Sequence, residues 1–201
     1  MSVGRAALTI GGLTGLSRLA GFVRDLLIAA ALGAGPVADA FFISLKLANF
    51  LRRLFAEGAF SAAFVPLYGR LAAAGAESAR RFAGEVLSVL ALALLATVIL
   101  GELAMPWLVR VLASGFAPGS ERFALAVVLG RLTFPYILFI SLAALLSAML
   151  QTAQRFAAAA FAPVILNLVL IAALLATGAS GVAAARLLAV GVVAAGALQL
   201  L

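Results

Sequence analysis

Residues 17–25 read SRLAGFVRD and sit inside the run TIGGLTGLSRLAGFVRDLLIAAAL, which is otherwise apolar enough for a membrane-spanning helix. Ser17, Arg18, Gly21, Arg24 and Asp25 recur at helical spacing and share one side of that helix, while Leu16, Leu19, Val23 and Leu27 occupy the reverse. A second run, DAFFISLKLANFLRRLFAEG, repeats the device: Asp39, Lys46, Asn49, Arg52, Arg53 and Glu57 form a polar stripe down a mostly apolar helix. Five cations, Arg18, Arg24, Lys46, Arg52 and Arg53, face three carboxylates, Asp25, Asp39 and Glu57. The chemistry such a set performs is anion binding. Guanidinium groups stay charged and offer a planar fork that matches phosphate oxygens.

The local energetics show why these charges need a reason. About ten Leu, Ile, Val and Phe residues favour inserting the first helix by roughly 3–6 kcal/mol, and Arg18, Arg24 and Asp25 oppose it by roughly 8–10 kcal/mol. A lone helix of this composition does not rest in lipid; it needs protein partners or a water-filled cavity. Two explanations stand side by side. The charges can pair with one another as structural glue, Arg24 and Asp25 with Asp39 and Arg52, and arginines near helix ends can snorkel. Alternatively, the cationic excess is held at depth for an anion. Snorkelling and loop charge account for Arg53, Arg70, Arg80, Arg81, Arg110 and Arg155 without any ligand.

The composition limits the classes of function. Of 201 residues, 66% are hydrophobic and 10% charged, so the chain belongs in a bilayer. The net charge of +7 lies in or beside apolar spans, which points to anionic lipids or an anionic substrate rather than nucleic acid. With no cysteine and no histidine, the chain has no disulfide framework and little material for zinc ligation or general acid–base catalysis. The composition therefore weighs against an enzyme.

The elements that must carry these residues are all helical. Gly and Pro punctuation predicts a polytopic bundle of about six helices. They span about 8–32, 37–73 (broken near Gly58), 79–112, 121–152, 156–177 and 182–201. Helices two to four exceed one bilayer thickness and are expected to tilt or project. Pro66, Pro106, Pro135 and Pro163 lie in apolar runs as kinks or hinges. Asn167 in FAPVILNLVL is read as a hydrogen-bonding residue across helices, Trp107 as an interface anchor, and Ala157 to Ala160 as a close-packing surface. Arg5, Arg70, Arg80, Arg81 and Arg155 fall on one side of the membrane, which places the N-terminus in the cytoplasm by the positive-inside rule. The sequence stops at Leu201 within an apolar run, as one half of a larger bundle would.

The two charged runs also carry a resemblance. SRLAGFVRDLLIAAALGAG followed by VADAFFISLKLANFLRRLFAEGAFSAAFVP is similar to the opening signature of the MurJ/MviN family of lipid II flippases, within the multidrug/oligosaccharidyl-lipid/polysaccharide exporter superfamily. Further along, RLTFPYILFISLAALLSAMLQTAQRFAAAAFAPVILNL resembles the family's fourth and fifth helices, and AVGVVAAGALQLL its sixth. Two places depart from the pattern: Ala48 stands where the family often has proline, and Ala62 where it often has a polar residue. The resemblance implies that residues 1–201 form the N-terminal lobe of a two-lobe exporter fold, with a C-terminal lobe lying outside this chain. It implies flipping of undecaprenyl-pyrophosphate-linked disaccharide-pentapeptide, lipid II, across the bacterial inner membrane by alternating access. Arg18, Arg24 and Arg52 then correspond to arginines of the central cavity, with Lys46 and Arg53 adding to its field. Asp25 and Asp39 match acidic positions that organise the cavity and its gates, and Ser17, Asn49, Glu57 and Ser61 match further polar positions. The family's sodium site and tail groove lie mainly in the other lobe, so no cofactor is expected here, and any coupling to sodium or membrane potential would run through that lobe. The alternatives are a flippase for another polyprenyl-pyrophosphate-linked oligosaccharide and a non-transporting membrane scaffold. A cationic-drug antiporter would call for an acidic cavity.

Overall fold

A computed structural model of the protein describes the backbone of residues 3–52, 59–153 and 155–200, and the side chains of 11–50, 63–153, 155, 157 and 160–200. Among the described residues every regular element is an α-helix. They run α1 Val3–Leu32, α2 Pro36–Arg52, α3 Ala59–Ala74, α4 Ala76–Leu112, α5 Glu121–Thr133, α6 Tyr136–Thr152, α7 Phe156–Thr177 and α8 Gly181–Leu198.

The junctions follow local chemistry. After α1 the chain turns through Gly33, whose φ of 66° suits a residue without Cβ, and its N–H still donates to the Ala29 carbonyl at 3.0 Å. The Ser120 hydroxyl caps α5 by accepting from the Phe123 N–H at 3.2 Å. Gly178, at φ 59°, closes α7 in the left-handed conformation.

The helix expected over 121–152 is two helices, α5 and α6, because Pro135 supplies no N–H and the chain tightens there into three-residue turns, Ile137 N–H to Phe134 O and Leu138 N–H to Pro135 O. Pro66, Pro106 and Pro163, read from sequence as kinks, lie inside the continuous helices α3, α4 and α7. The break expected near Gly58 falls at 53–58, outside the described residues.

Among the described residues, four stretches are long and apolar enough to cross a membrane: Ala76–Leu112, Glu121–Thr152, Ala160–Thr177 and Gly181–Leu198. At 37 residues, α4 is about 55 Å long, well beyond a hydrocarbon core of about 30 Å. Leu92, Ile99, Leu100, Leu103 and Trp107 on α4 are exposed, as side chains facing lipid must be.

The centre of the bundle is α8, which touches α1, α2, α5, α6 and α7. Its buried face is built from Ala184, Ala185, Ala189, Gly191, Ala195 and Gly196, small residues that let neighbouring backbones come close. A Cβ at Gly196 would stand 2.7 Å from the Tyr136 ring, so glycine there gives α6 its place against α8. The charged helices pack differently from a simple neighbouring pair. α1 lies mainly along α7 and α2 mainly along α5, while α1 and α2 barely meet. That separation leaves open space between the two polar stripes.

Candidate anion site on α1 and α2

On a helical wheel Ser17, Gly21, Arg24 and Ile28 fall within an arc of about 60°, with Arg18 and Asp25 displaced to one flank. The structure turns the centre of that arc inward, against α7. Ile28 is buried, Ser17, Gly21 and Arg24 are half-buried, and Arg18 and Asp25 on the flank are exposed. The opposite side carries exposed Leu16, Leu19, Phe22, Val23 and Leu26. Of the charges that oppose insertion of α1, Arg24 is thus turned to the protein, while Arg18 and Asp25 stay exposed on its flank.

Arg24 is held from two directions. Its Nη1 donates to Asn167 Oδ1 on α7 at 2.6 Å, and its Nε and Nη2 donate to Asp25 Oδ1 at 3.0 and 2.7 Å. Asn167 in turn donates from Nδ2 to the Ser17 carbonyl at 2.9 Å. The amide is 4% exposed and packs against Gly21, where a Cβ would stand in ordinary contact with Nδ2 at 3.6 Å. One buried amide thereby ties α1 to α7 twice, through a backbone acceptor and through the guanidinium. The sequence reading of Asn167 as a cross-helix hydrogen bonder describes this geometry, though nothing in the sequence names Arg24 as its partner.

On α2, Asp39, Lys46 and Asn49 are exposed along one side, while Ala40, Phe41, Ser44, Leu47 and Ala48 are buried on the other. The stripe borders a cleft of about 690 Å³ whose walls include Asp39, Phe42, Lys46, Asn49 and Phe116. A narrower cleft of about 130 Å³ joins the two charged helices, with Arg24 and Asp25 on one wall and Phe42, Leu45 and Asn49 on the other. A third space, about 420 Å³, runs from Asn49 and Tyr136 to Ser147, Ala162 and Gln199. Asn49 borders all three, so they form one connected front to the bundle.

Among the described residues, Asp25 and Asp39 do not gather around one arginine. Asp25 pairs with Arg24, but Asp39 pairs with Arg122 at the start of α5, Nη1 to Oδ2 at 3.3 Å. The Arg122 guanidinium also lies over the Phe116 ring at 5.3 Å. The contact of Arg122 with Asp39 joins distant parts of the chain and leaves no spacing signal in the sequence. For Arg52 the helix is described but not the side chain, and Arg53, Glu57 and Ser61 have side chains outside the described residues. Among the described residues no three His, Cys, Asp or Glu side chains gather where a metal ion could be held.

Chemically, the front offers a cationic fork fixed at depth. Arg24 lies eight residues from the end of α1, about 12 Å along the axis. Three of its five N–H groups are engaged by Asn167 and Asp25, leaving two, among the described residues, for a ligand. Its side chain is 25% exposed, through the cleft. Lys46 and Arg18 add exposed positive charge on the flanks.

Comparison with known proteins places this arrangement. The family model described as "Lipid II flippase MurJ" matches residues 28–201. A protein of Rhizobium tropici named probable lipid II flippase MurJ is 49% identical over 205 residues, covering 100% of this chain and 38% of that protein. The lipid II flippase MurJ of Burkholderia cenocepacia is 44% identical over 174 residues, 86% of this chain and 34% of that protein. A solved structure, the lipid II flippase MurJ in an inward closed conformation, superposes with a TM-score of 0.79 at 31% identity, over 94% of this chain and 40% of that one. The chain thus spans less than two fifths of the length of these two curated relatives. Matched by the family model over most of its length and by a relative of such identity over all of it, the chain belongs to the lipid II flippase MurJ family.

Proposed function

We propose that this chain forms the N-terminal lobe of a lipid II flippase in the bacterial plasma membrane, with its N-terminus in the cytoplasm, and that Arg24, with Arg18 and Arg52, binds the pyrophosphate of the substrate. The observation that carries this reading is the state of Arg24: a guanidinium anchored deep between α1 and α7, with two N–H groups left at a cleft between the charged helices.

The physics of the task agrees. A bare pyrophosphate cannot enter hydrocarbon, because its hydration is lost without replacement. Fixed guanidinium groups replace that hydration while the polyprenyl tail stays in lipid. Release needs a competitor for the arginines, and Asp25, already on Arg24, supplies one. Alternating access between this lobe and a second one would expose the cationic front first to one side of the membrane and then to the other, as the family resemblance implies.

Native mass spectrometry of the protein with lipid II, undecaprenyl phosphate and cardiolipin tests the reading. Preferential binding of lipid II, lost when Arg18, Arg24 and Arg52 are all changed to Ala, supports it. Equal binding of every anionic lipid, unaltered by the triple substitution, rejects it. Equal preference for any polyprenyl-pyrophosphate oligosaccharide would widen the substrate class instead.

A further inference from the structure

Asn167 is a lone amide in an otherwise apolar stretch of α7, and it is buried. A role confined to joining helices would be met by its bond to the Ser17 carbonyl alone. Yet its Oδ1 is spent on Arg24, at 2.6 Å, the shortest of the three hydrogen bonds that Arg24 donates. We propose that Asn167 is a positioning residue for anion binding: it draws the Arg24 guanidinium away from a private pair with Asp25 and presents two N–H groups to an anionic phosphate. This rests on the reading of Arg24 as the pyrophosphate ligand.

The choice of an amide follows from charge and donor counting. Asp25 takes Nε–H and one Nη2–H in a side-on fork through a single oxygen. Left with Asp25 alone, the arginine is free to swing outward with its carboxylate, which is 64% exposed. A neutral acceptor on the inner side fixes the plane without adding negative charge, so Arg24 keeps its attraction for an anion. A carboxylate at 167 would fix the plane equally well but would bracket Arg24 between two anions. An alkyl group would fix nothing. The cleft that Arg24 enters is also bordered by Asn49 and by Tyr136. Charged side chains elsewhere on this front, Asp39 and Lys46, border the adjoining wider cleft.

The experiment measures binding of undecaprenyl pyrophosphate to the intact protein in phosphatidylcholine nanodiscs, together with thermal melting, for wild type, Arg24→Ala, Asn167→Ala, Asn167→Asp and the packing control Val164→Ala. Positioning predicts that affinity falls about tenfold in Asn167→Ala and further in Asn167→Asp, even where the Asp variant melts no lower than the Ala variant. Val164→Ala lowers melting and leaves affinity within about twofold. If affinity simply follows melting across all the Asn167 and Val164 variants, or if both Asn167 variants bind like wild type while Arg24→Ala loses binding, the positioning role is overturned and the pyrophosphate reading survives. If Arg24→Ala binds like wild type, both fall together. Should Asn167→Ala fail to fold, the comparison of Asn167→Asp with Val164→Ala decides.

Discussion

Two helix seams in this bundle meet the same problem, holding helices together where lipid offers no hydrophobic drive, and they solve it in opposite ways. Between α4 and α5 the seam is dry and apolar at its centre, shaped there by missing side chains, and is crossed only at its exposed edge by a hydrogen bond, Arg131 Nε to the Glu102 carbonyl at 3.3 Å, among the described residues. Gly101 leaves the space that the Phe134 ring fills, and Gly130 leaves the space for Met105, whose sulfur would stand 2.7 Å from a Cβ there. Between α1 and α7 the seam is polar: Asn167 bridges Ser17 and Arg24 over Gly21. The first seam fixes distance and tolerates no volume. The second fixes direction, because hydrogen bonds have directions and packing contacts do not. A lobe that only had to stand in lipid could be built from seams of the first kind. At Asn167 the second kind also engages a charged side chain, Arg24.

The largest expected effect breaks the dry seam. Gly101→Leu drives a side chain into the Phe134 ring, which is 1% exposed and has nowhere to go. A loss of about 3 kcal/mol or more, seen as failure to accumulate in the membrane or as early melting in detergent, is expected. Gly130→Ala is gentler at about 1 kcal/mol, because the flexible Met105 thioether can yield. Similar melting for Gly101→Leu and wild type would mean that α4 and α5 do not depend on this close approach.

The polar seam gives a smaller loss of stability. Asn167→Leu removes the bond to Arg24 and the bond to Ser17 in one step. Interhelical polar contacts in membranes contribute about 0.6–2 kcal/mol, and the same order is expected here, read as a modest drop in melting temperature. A drop as large as that of Gly101→Leu would show that the amide bears the α1–α7 packing as a whole and would erase the contrast between the seams.

How far these seams could be read in the sequence differs in the same sense. The polar stripes of α1 and α2 were legible, since charges at helical spacing in an apolar run stand out by type alone. Asn167 was legible as a lone amide in FAPVILNLVL, but its partners lie on α1, at Ser17 and Arg24, and no periodicity connects them. The pairing of Asp39 with Arg122 is hidden for the same reason: the two residues lie on different helices, and no spacing joins them. Adjacency in sequence carries no packing information here: α1 and α2 follow each other but pack on α7 and α5, with a cleft between them. The split of 121–152 turned on Pro135, while Pro66, Pro106 and Pro163, equally visible, stayed inside helices. Whether a proline ends a helix in lipid depends on neighbours that can satisfy the freed carbonyl, and those are tertiary.

A third comparison is between the two arginine–carboxylate pairs on the front. Arg24–Asp25 is backed by a buried amide, whereas Arg122 and Asp39 are 40% and 48% exposed and are backed only by the Phe116 ring. An exposed pair of this kind contributes about 0.2–1 kcal/mol. Asp39→Asn should therefore leave melting nearly unchanged. If Asp39 has a part in opening or substrate release, lipid II flipping measured in vesicles slows severalfold at unchanged stability. Unaltered flipping and release in Asp39→Asn would remove this residue from the mechanism and leave Asp25 as the acidic group that matters.

The smallest effect supplies the baseline for all of these. Arg81 and Glu85 form a pair one turn apart on α4, Nε to Oε1 at 3.1 Å, with side chains 82% and 64% exposed. Such pairs stabilise a helix by about 0.3–0.5 kcal/mol and are screened by salt. Glu85→Gln should shift melting by less than the reproducibility of most detergent assays and leave both lipid binding and flipping at wild-type levels. The pair has the same chemistry and a similar bond length to Arg24–Asp25. What it lacks is the inner acceptor that turns a salt bridge into a directed donor. If Glu85→Gln altered anion binding as strongly as changes around Arg24, positive charge alone would account for the affinity, and the geometry of the polar seam would have no special part in it.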